Sequence, residues 1–90
     1  MDKITLSISQ IDKMKHAIGY ERRKVKRGVY EAYRNYYSVT GENSDWEQLY
    51  DLGMAFICPQ EKMTFYGLTE AGFDTLEKIL DVKIKRSECD

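Results

Sequence analysis

Two short apolar runs, Met54-Ala55-Phe56-Ile57-Cys58 and Thr64-Phe65-Tyr66-Gly67-Leu68, stand on either side of the polar stretch Pro59-Gln60-Glu61-Lys62-Met63. This pattern predicts a β-hairpin with a polar tip. A lone hairpin is marginal in water, so it must be covered by other elements. Both flanks supply one. Upstream, Ser44-Asp45-Trp46-Glu47 places Glu three residues after Ser, the spacing of a capping box, with acids in the first turn. Trp46, Leu49 and Tyr50 then fall on one side, and Gly53 closes a helix over residues 44–52. Downstream, Thr69 is placed to cap a helix whose buried stripe is Phe73, Leu76 and Leu80, joined by Ile79, and whose end frays in residues 85–90. Ninety residues suffice for one domain with one modest core, and a chain 42% hydrophobic and 32% charged is globular in balance.

Before the hairpin region, Ser7-Ile8-Ser9-Gln10 is a second capping-box pattern, and Ile8, Ile11, Met14 and Ile18 follow at helical spacing. A helix over residues 7–18 is expected, with Gly19 as its stop. The basic stretch Arg22-Arg23-Lys24-Val25-Lys26-Arg27 comes next. Residues 29–37, Val-Tyr-Glu-Ala-Tyr-Arg-Asn-Tyr-Tyr, fit both periods. Aromatic and β-branched residues favour a strand there, whereas the interleaved Glu, Ala and Arg and the turn-rich residues 40–43 favour a short helix, which is the preferred reading.

The net charge of −1 conceals a division. Residues 1–37 hold nine bases against four acids, and residues 38–90 five bases against eleven acids. Such a chain is dipolar, and its basic stretch suits nucleic-acid phosphates or an acidic protein surface. No apolar run approaches the roughly 18 to 20 residues of a membrane span, and the first residues lack a secretory pattern. A cytoplasmic protein with no membrane association is therefore expected. Cys58 and Cys89 are read as free thiols, and with a single His they do not compose a zinc site. His16 is read as a structural or surface residue, and Glu70 and Asp74 as surface acids stabilised by a helix N-terminus. With no phosphate loop, nucleophile motif or ligand cluster in view, no enzyme, metal or cofactor is expected.

The order of helix, second helix, third helix, hairpin and closing helix is that of a winged helix. Leu49-Tyr50-Asp51-Leu52-Gly53-Met54-Ala55, the hairpin, and Tyr66-Gly67-Leu68-Thr69-Glu70-Ala71-Gly72-Phe73 resemble the wing of MarR-like and PadR-like regulators. There, a helix ending in Gly leads into the wing, and a Leu-Thr-Glu-x-Gly segment opens the next helix. The resemblance covers about a third of the chain. It implies an α+β, mainly α, winged-helix-like domain with three helices, a β-hairpin wing and a C-terminal helix. Gly72 would let that helix pack closely on the sheet. His16-Ala17-Ile18-Gly19 and Tyr33-Arg34-Asn35-Tyr36-Tyr37 are also similar to elements of small uncharacterised bacteriophage and prophage proteins. That resemblance implies an origin in a bacterial host cell and no particular activity.

One departure from the regulators bears on function. The helix in the recognition position carries Asp45, Glu47 and Asp51 and no Lys or Arg, so phosphate would repel it. Nucleic acid is instead expected at Arg22, Arg23, Lys24, Lys26, Arg27 and Arg34, with Tyr30 stacking and Lys62 reaching from the wing tip. Of Tyr30, Tyr33, Tyr36 and Tyr37, one or two should be exposed, because one helix face cannot bury all four. The alternative expectation is an inhibitor of a host nucleic-acid-binding or defence complex, whose acidic half imitates nucleic-acid charge through Asp45, Trp46, Glu47 and Asp51. Trp46 itself is read as a core anchor in preference to an interface residue. The first or last helix is available for a homodimer.

Overall fold

The computed structural model describes residues 6–41 and 43–86. Helix α1, Ile8–Ala17, begins at the expected capping box: the Gln10 amide donates to Ser7 Oγ at 3.0 Å, and Gln10 Oε1 accepts from the Ser7 amide at 2.8 Å. Its inner face is Met14 and Ala17, joined by the buried Gln10. Ile8, expected in that face, is 79% exposed. A single 3-10 turn at Arg22–Lys24 follows.

Residues 29–37 are not a helix. They comprise strand β1, Val29–Glu31, an extended stretch, and the start of strand β2, Tyr37–Val39. The helical reading fails because the backbone of this segment finds its partners elsewhere in the chain. The Ala32 amide donates to the Lys85 carbonyl at 2.9 Å and the Tyr36 amide to the Ala17 carbonyl at 3.0 Å. With β-branched and aromatic residues already inclined to extend, such non-local pairing decides the outcome.

Helix α2, Ser44–Asp51, is capped one residue earlier than expected. Asn43, not Ser44, is the N-cap, and its Oδ1 accepts from the Trp46 amide at 3.2 Å. Trp46 and Leu49 are buried, whereas Tyr50, expected beside them, is 51% exposed. The hairpin forms as expected from strands β3, Ala55–Pro59, and β4, Thr64–Leu68. Strand β2 adds antiparallel to β4, giving the order β2-β4-β3.

Helix α3, Glu70–Leu80, is capped by Thr69, whose Oγ1 accepts from the Gly72 amide at 3.2 Å. A Cβ at Gly72 would lie 2.1 Å from the Met54 carbonyl oxygen, so only glycine fits between α3 and the start of β3. The helix does not continue into residues 81–86. Asp81 turns it in a left-handed conformation, and strand β5, Lys83–Lys85, pairs parallel with β1. The expected fraying in residues 85–90 falls partly on this strand, with residues 87–90 lying outside those described. Ile79, expected in the buried stripe, is 42% exposed.

The protein is thus a small α+β domain of three α-helices and two sheets among the described residues. Trp46, Tyr66, Tyr30, Met14, Ile18, Leu49, Leu76 and Ile84 make the centre of one core contributed by helices and both sheets. The Trp46 and Tyr66 rings stack at 5.5 Å. Among the described residues no helix is long and apolar enough to cross a membrane.

Candidate nucleic-acid interface

The basic stretch follows α1 as an exposed loop that ends in a tight turn. Lys26 and Val29 exchange both backbone hydrogen bonds, at 2.9 and 3.0 Å, across Arg27 and Gly28. Both central residues have positive φ, 53° at Arg27 and 75° at Gly28. A two-residue hairpin turn of this hand favours Asn-Gly, and a left-handed arginine costs roughly 1–2 kcal/mol. The turn presents an arginine where backbone preference alone would select asparagine or glycine.

The cations of this loop are sparsely neutralised. Glu21 meets Lys24 at 3.2 Å and Arg23 at 3.6 Å. Hydrogen bonding and charge from Lys24, followed by the charge of Arg23, hold the Glu21 carboxyl below its ordinary range. Among the described residues no ion pair engages Arg22, Lys26 or Arg27, and all three are exposed. Strand pairing adds two further cations. β5 lies beside β1 with Val29 opposite Lys83 and Glu31 opposite Lys85, and the exposed side chains of both strands share a face. The sequence reading missed Lys83 and Lys85. The alternation Val82-Lys83-Ile84-Lys85 was the available signal for a half-buried strand.

A groove of about 740 Å³ runs between the loop and the aromatic segment, with Arg23, Lys24, Lys26, Glu31 and Tyr33 among its lining residues. Tyr33 and Tyr36 are 60% and 52% exposed. The Arg34 guanidinium lies over both rings, 5.5 Å from Tyr33 and 5.8 Å from Tyr36, and Lys24 Nζ lies 5.9 Å over Tyr33. Cations and aromatic faces therefore alternate along one surface.

The segment that presents these rings is pinned residue by residue. Tyr33 lies directly on Gly19, where a Cβ would come within 2.6 Å of its ring. Arg34 Nη2 donates at 2.8 Å to the His16 carbonyl at the C-terminal end of α1, which also accepts from the Gly19 amide at 3.0 Å. The Asn35 side chain bonds both backbone groups of Leu68, donating at 3.0 Å and accepting at 2.8 Å. Tyr37 meets the exposed His16 ring edge-on at 5.1 Å. His16-Ala17-Ile18-Gly19 and Tyr33-Arg34-Asn35-Tyr36-Tyr37, separate in sequence, thus form a single contact unit.

Other expected site residues sit differently. Tyr30, expected to stack on a ligand, is 1% exposed and donates its hydroxyl to the Gly19 carbonyl; it belongs to the core. Burial pushes its phenol up from the ordinary value. Lys62 is exposed at the hairpin tip and does not line the groove. Trp46, named for the acidic alternative, is fully buried and cannot touch a partner in this fold. Asp45 accepts from Ser9 Oγ at 2.6 Å and Lys13 Nζ at 2.9 Å, and these two bonds hold its carboxyl below the ordinary range. Glu47 accepts from the Tyr66 hydroxyl at 2.9 Å, and Asp51 is exposed.

Glu70 and Asp74 both face Arg86, at 3.5 and 2.8 Å, which also lies 4.8 Å over the Phe73 ring. Those acids anchor the end of β5 to α3. Cys58 is exposed and accepts from Gln60 Nε2 at 3.2 Å, while Cys89 lies outside the described residues. No cluster of His, Cys, Asp or Glu suited to a metal ion occurs among the described residues. The chain matches no protein-family model, and no curated protein or solved structure is significantly similar to it.

Proposed function

We propose that this protein is a non-enzymatic nucleic-acid-binding module, winged-helix-like in organisation and of phage or prophage origin, acting in the cytoplasm in regulation or DNA handling. The observation that carries the reading is the unneutralised charge of the loop: Arg22, Lys26 and Arg27 lack ion pairs among the described residues, and Lys83 and Lys85 extend the same basic character along β5. Arg27 supports it separately. An arginine at a left-handed turn position sets a cation at the loop apex at a cost in backbone stability. The winged-helix-like description is supported by α2 leading into the β3-β4 hairpin, by β2 pairing with β4, and by α3 opening at Thr69 with Gly72 against Met54. Only one helix separates β2 from β3, and α2 offers acids rather than cations, so the loop and not α2 is the proposed contact.

The test is fluorescence anisotropy of labelled single-stranded and duplex oligonucleotides with purified protein across a salt series. Binding with a log–log salt slope of about −3 or steeper is expected, since each neutralised phosphate contributes roughly 0.7 to 0.9. Absence of binding at low salt, where attraction between exposed charges is strongest, would contradict the proposal.

A further inference from the structure

We infer that the nucleic acid taken by this surface is single-stranded, with bases stacked on Tyr33 and Tyr36 and the phosphate backbone following the cations of the 22–27 loop. This rests on the nucleic-acid reading above and narrows it. Duplex readers insert a helix or strand into a groove and need cations there. The helix leading into the hairpin here carries Asp45, Glu47 and Asp51 and no Lys or Arg; its Trp46 is wholly buried, and its exposed aromatic, Tyr50, has no cation beside it on the helix.

The aromatic surface has the opposite character. Tyr33 and Tyr36 each expose more than half of their area, although both belong to a segment fixed by Gly19, His16, Ala17 and Leu68. Rigid, exposed rings can stack only on bases that are not already paired in a duplex; inside a helix, each such stack would first require unstacking a step at a cost of a few kcal/mol. Arg34, shared between the two rings and tied to the His16 carbonyl, keeps both in one patch. The groove continues from Tyr33 to Arg23, Lys24 and Lys26, so stacking and phosphate contacts lie on a continuous surface. Lys24, now over Tyr33, can yield that position to a base and turn its ammonium to the adjoining phosphate.

The experiment compares three labelled probes of equal length at low salt: an oligothymidylate, the same backbone without bases, and a mixed-sequence duplex. The oligothymidylate should bind tightest, and removing the bases should weaken binding more than tenfold while leaving the number of phosphates unchanged. Tyr36→Ala, at an exposed ring, should weaken oligothymidylate binding by roughly fivefold to a hundredfold, the range of one base–aromatic stack. The double variant Tyr33→Phe with Tyr36→Phe should bind like the wild type. If the duplex binds as tightly as the oligothymidylate and the abasic backbone binds equally well, this inference is overturned and phosphate binding through the loop stands. If none of the three probes binds, the broader reading falls with it.

Discussion

The 22–27 loop and helix α2 carry dense charge of opposite sign, and the fold treats them in opposite ways. On α2, Asp45 is held by Ser9 and Lys13, Glu47 receives the Tyr66 hydroxyl, and Trp46 between them stacks on Tyr66 in the core. In the loop, Glu21 is the acid that meets the cations, through Lys24 and Arg23, while Arg22, Lys26 and Arg27 face solvent. Two surfaces of comparable charge therefore differ in what that charge does. On α2 most of it joins elements of the fold together. In the loop most of it remains available to a ligand.

Substitutions that separate stability from binding can break this comparison. Trp46→Ala should have the largest effect, destabilising the domain by roughly 3–5 kcal/mol as expected for a buried large aromatic, read from the urea midpoint. Next, Glu47→Ala removes a hydrogen bond between a carboxylate and a buried tyrosine and should cost about 1.5 kcal/mol by the same measurement. An unchanged midpoint would show that α2's acids are not structural. Arg27→Gly should act in the reverse sense, raising stability by about 1 kcal/mol through relief of the left-handed arginine while weakening oligonucleotide binding. A variant that is stabilised and binds fully would remove Arg27 from the interface.

Smaller effects sharpen the contrast. Because Asp45 titrates below its ordinary value of 3.8 in the folded protein, its contribution is fully present above that value and is lost as pH falls through the lower folded value. Asp45→Asn should flatten the fall in stability on the acid side, followed by circular dichroism during acid titration, with a change below about 1 kcal/mol at neutral pH. Arg22→Ala with Lys26→Ala should leave stability within about 0.5 kcal/mol of the wild type, since neither side chain holds another element.

The local elements of this fold are readable from sequence. Ser7 with Gln10, the β3-β4 hairpin and the Thr69 cap depend on residues a few positions apart, and they appear in the structure at or near their expected places. The β1-β5 pair depends on residues 29–31 meeting residues 83–85, a separation that no local window registers. Residues 29–37 carry both periods, and the carbonyls of Lys85 and Ala17 decide between them. Likewise, the loop cations were evident as a run of bases, whereas Lys83 and Lys85 joined them only through strand pairing. Tyr30 shows the same division: its chemistry suits binding, and only packing reveals that it belongs to the core, where Trp46 takes its expected place as an anchor.

The most direct test compares the salt dependence of oligothymidylate binding in the wild type and in the triple variant Arg22→Ala, Lys26→Ala, Arg27→Ala. With three fewer phosphate contacts, the magnitude of the log–log slope should fall by about 2, at roughly 0.7 per contact for a single strand, with the urea midpoint close to that of the wild type. A slope equal to the wild type's would place the bound phosphates elsewhere and contradict the assignment of the loop as the interface.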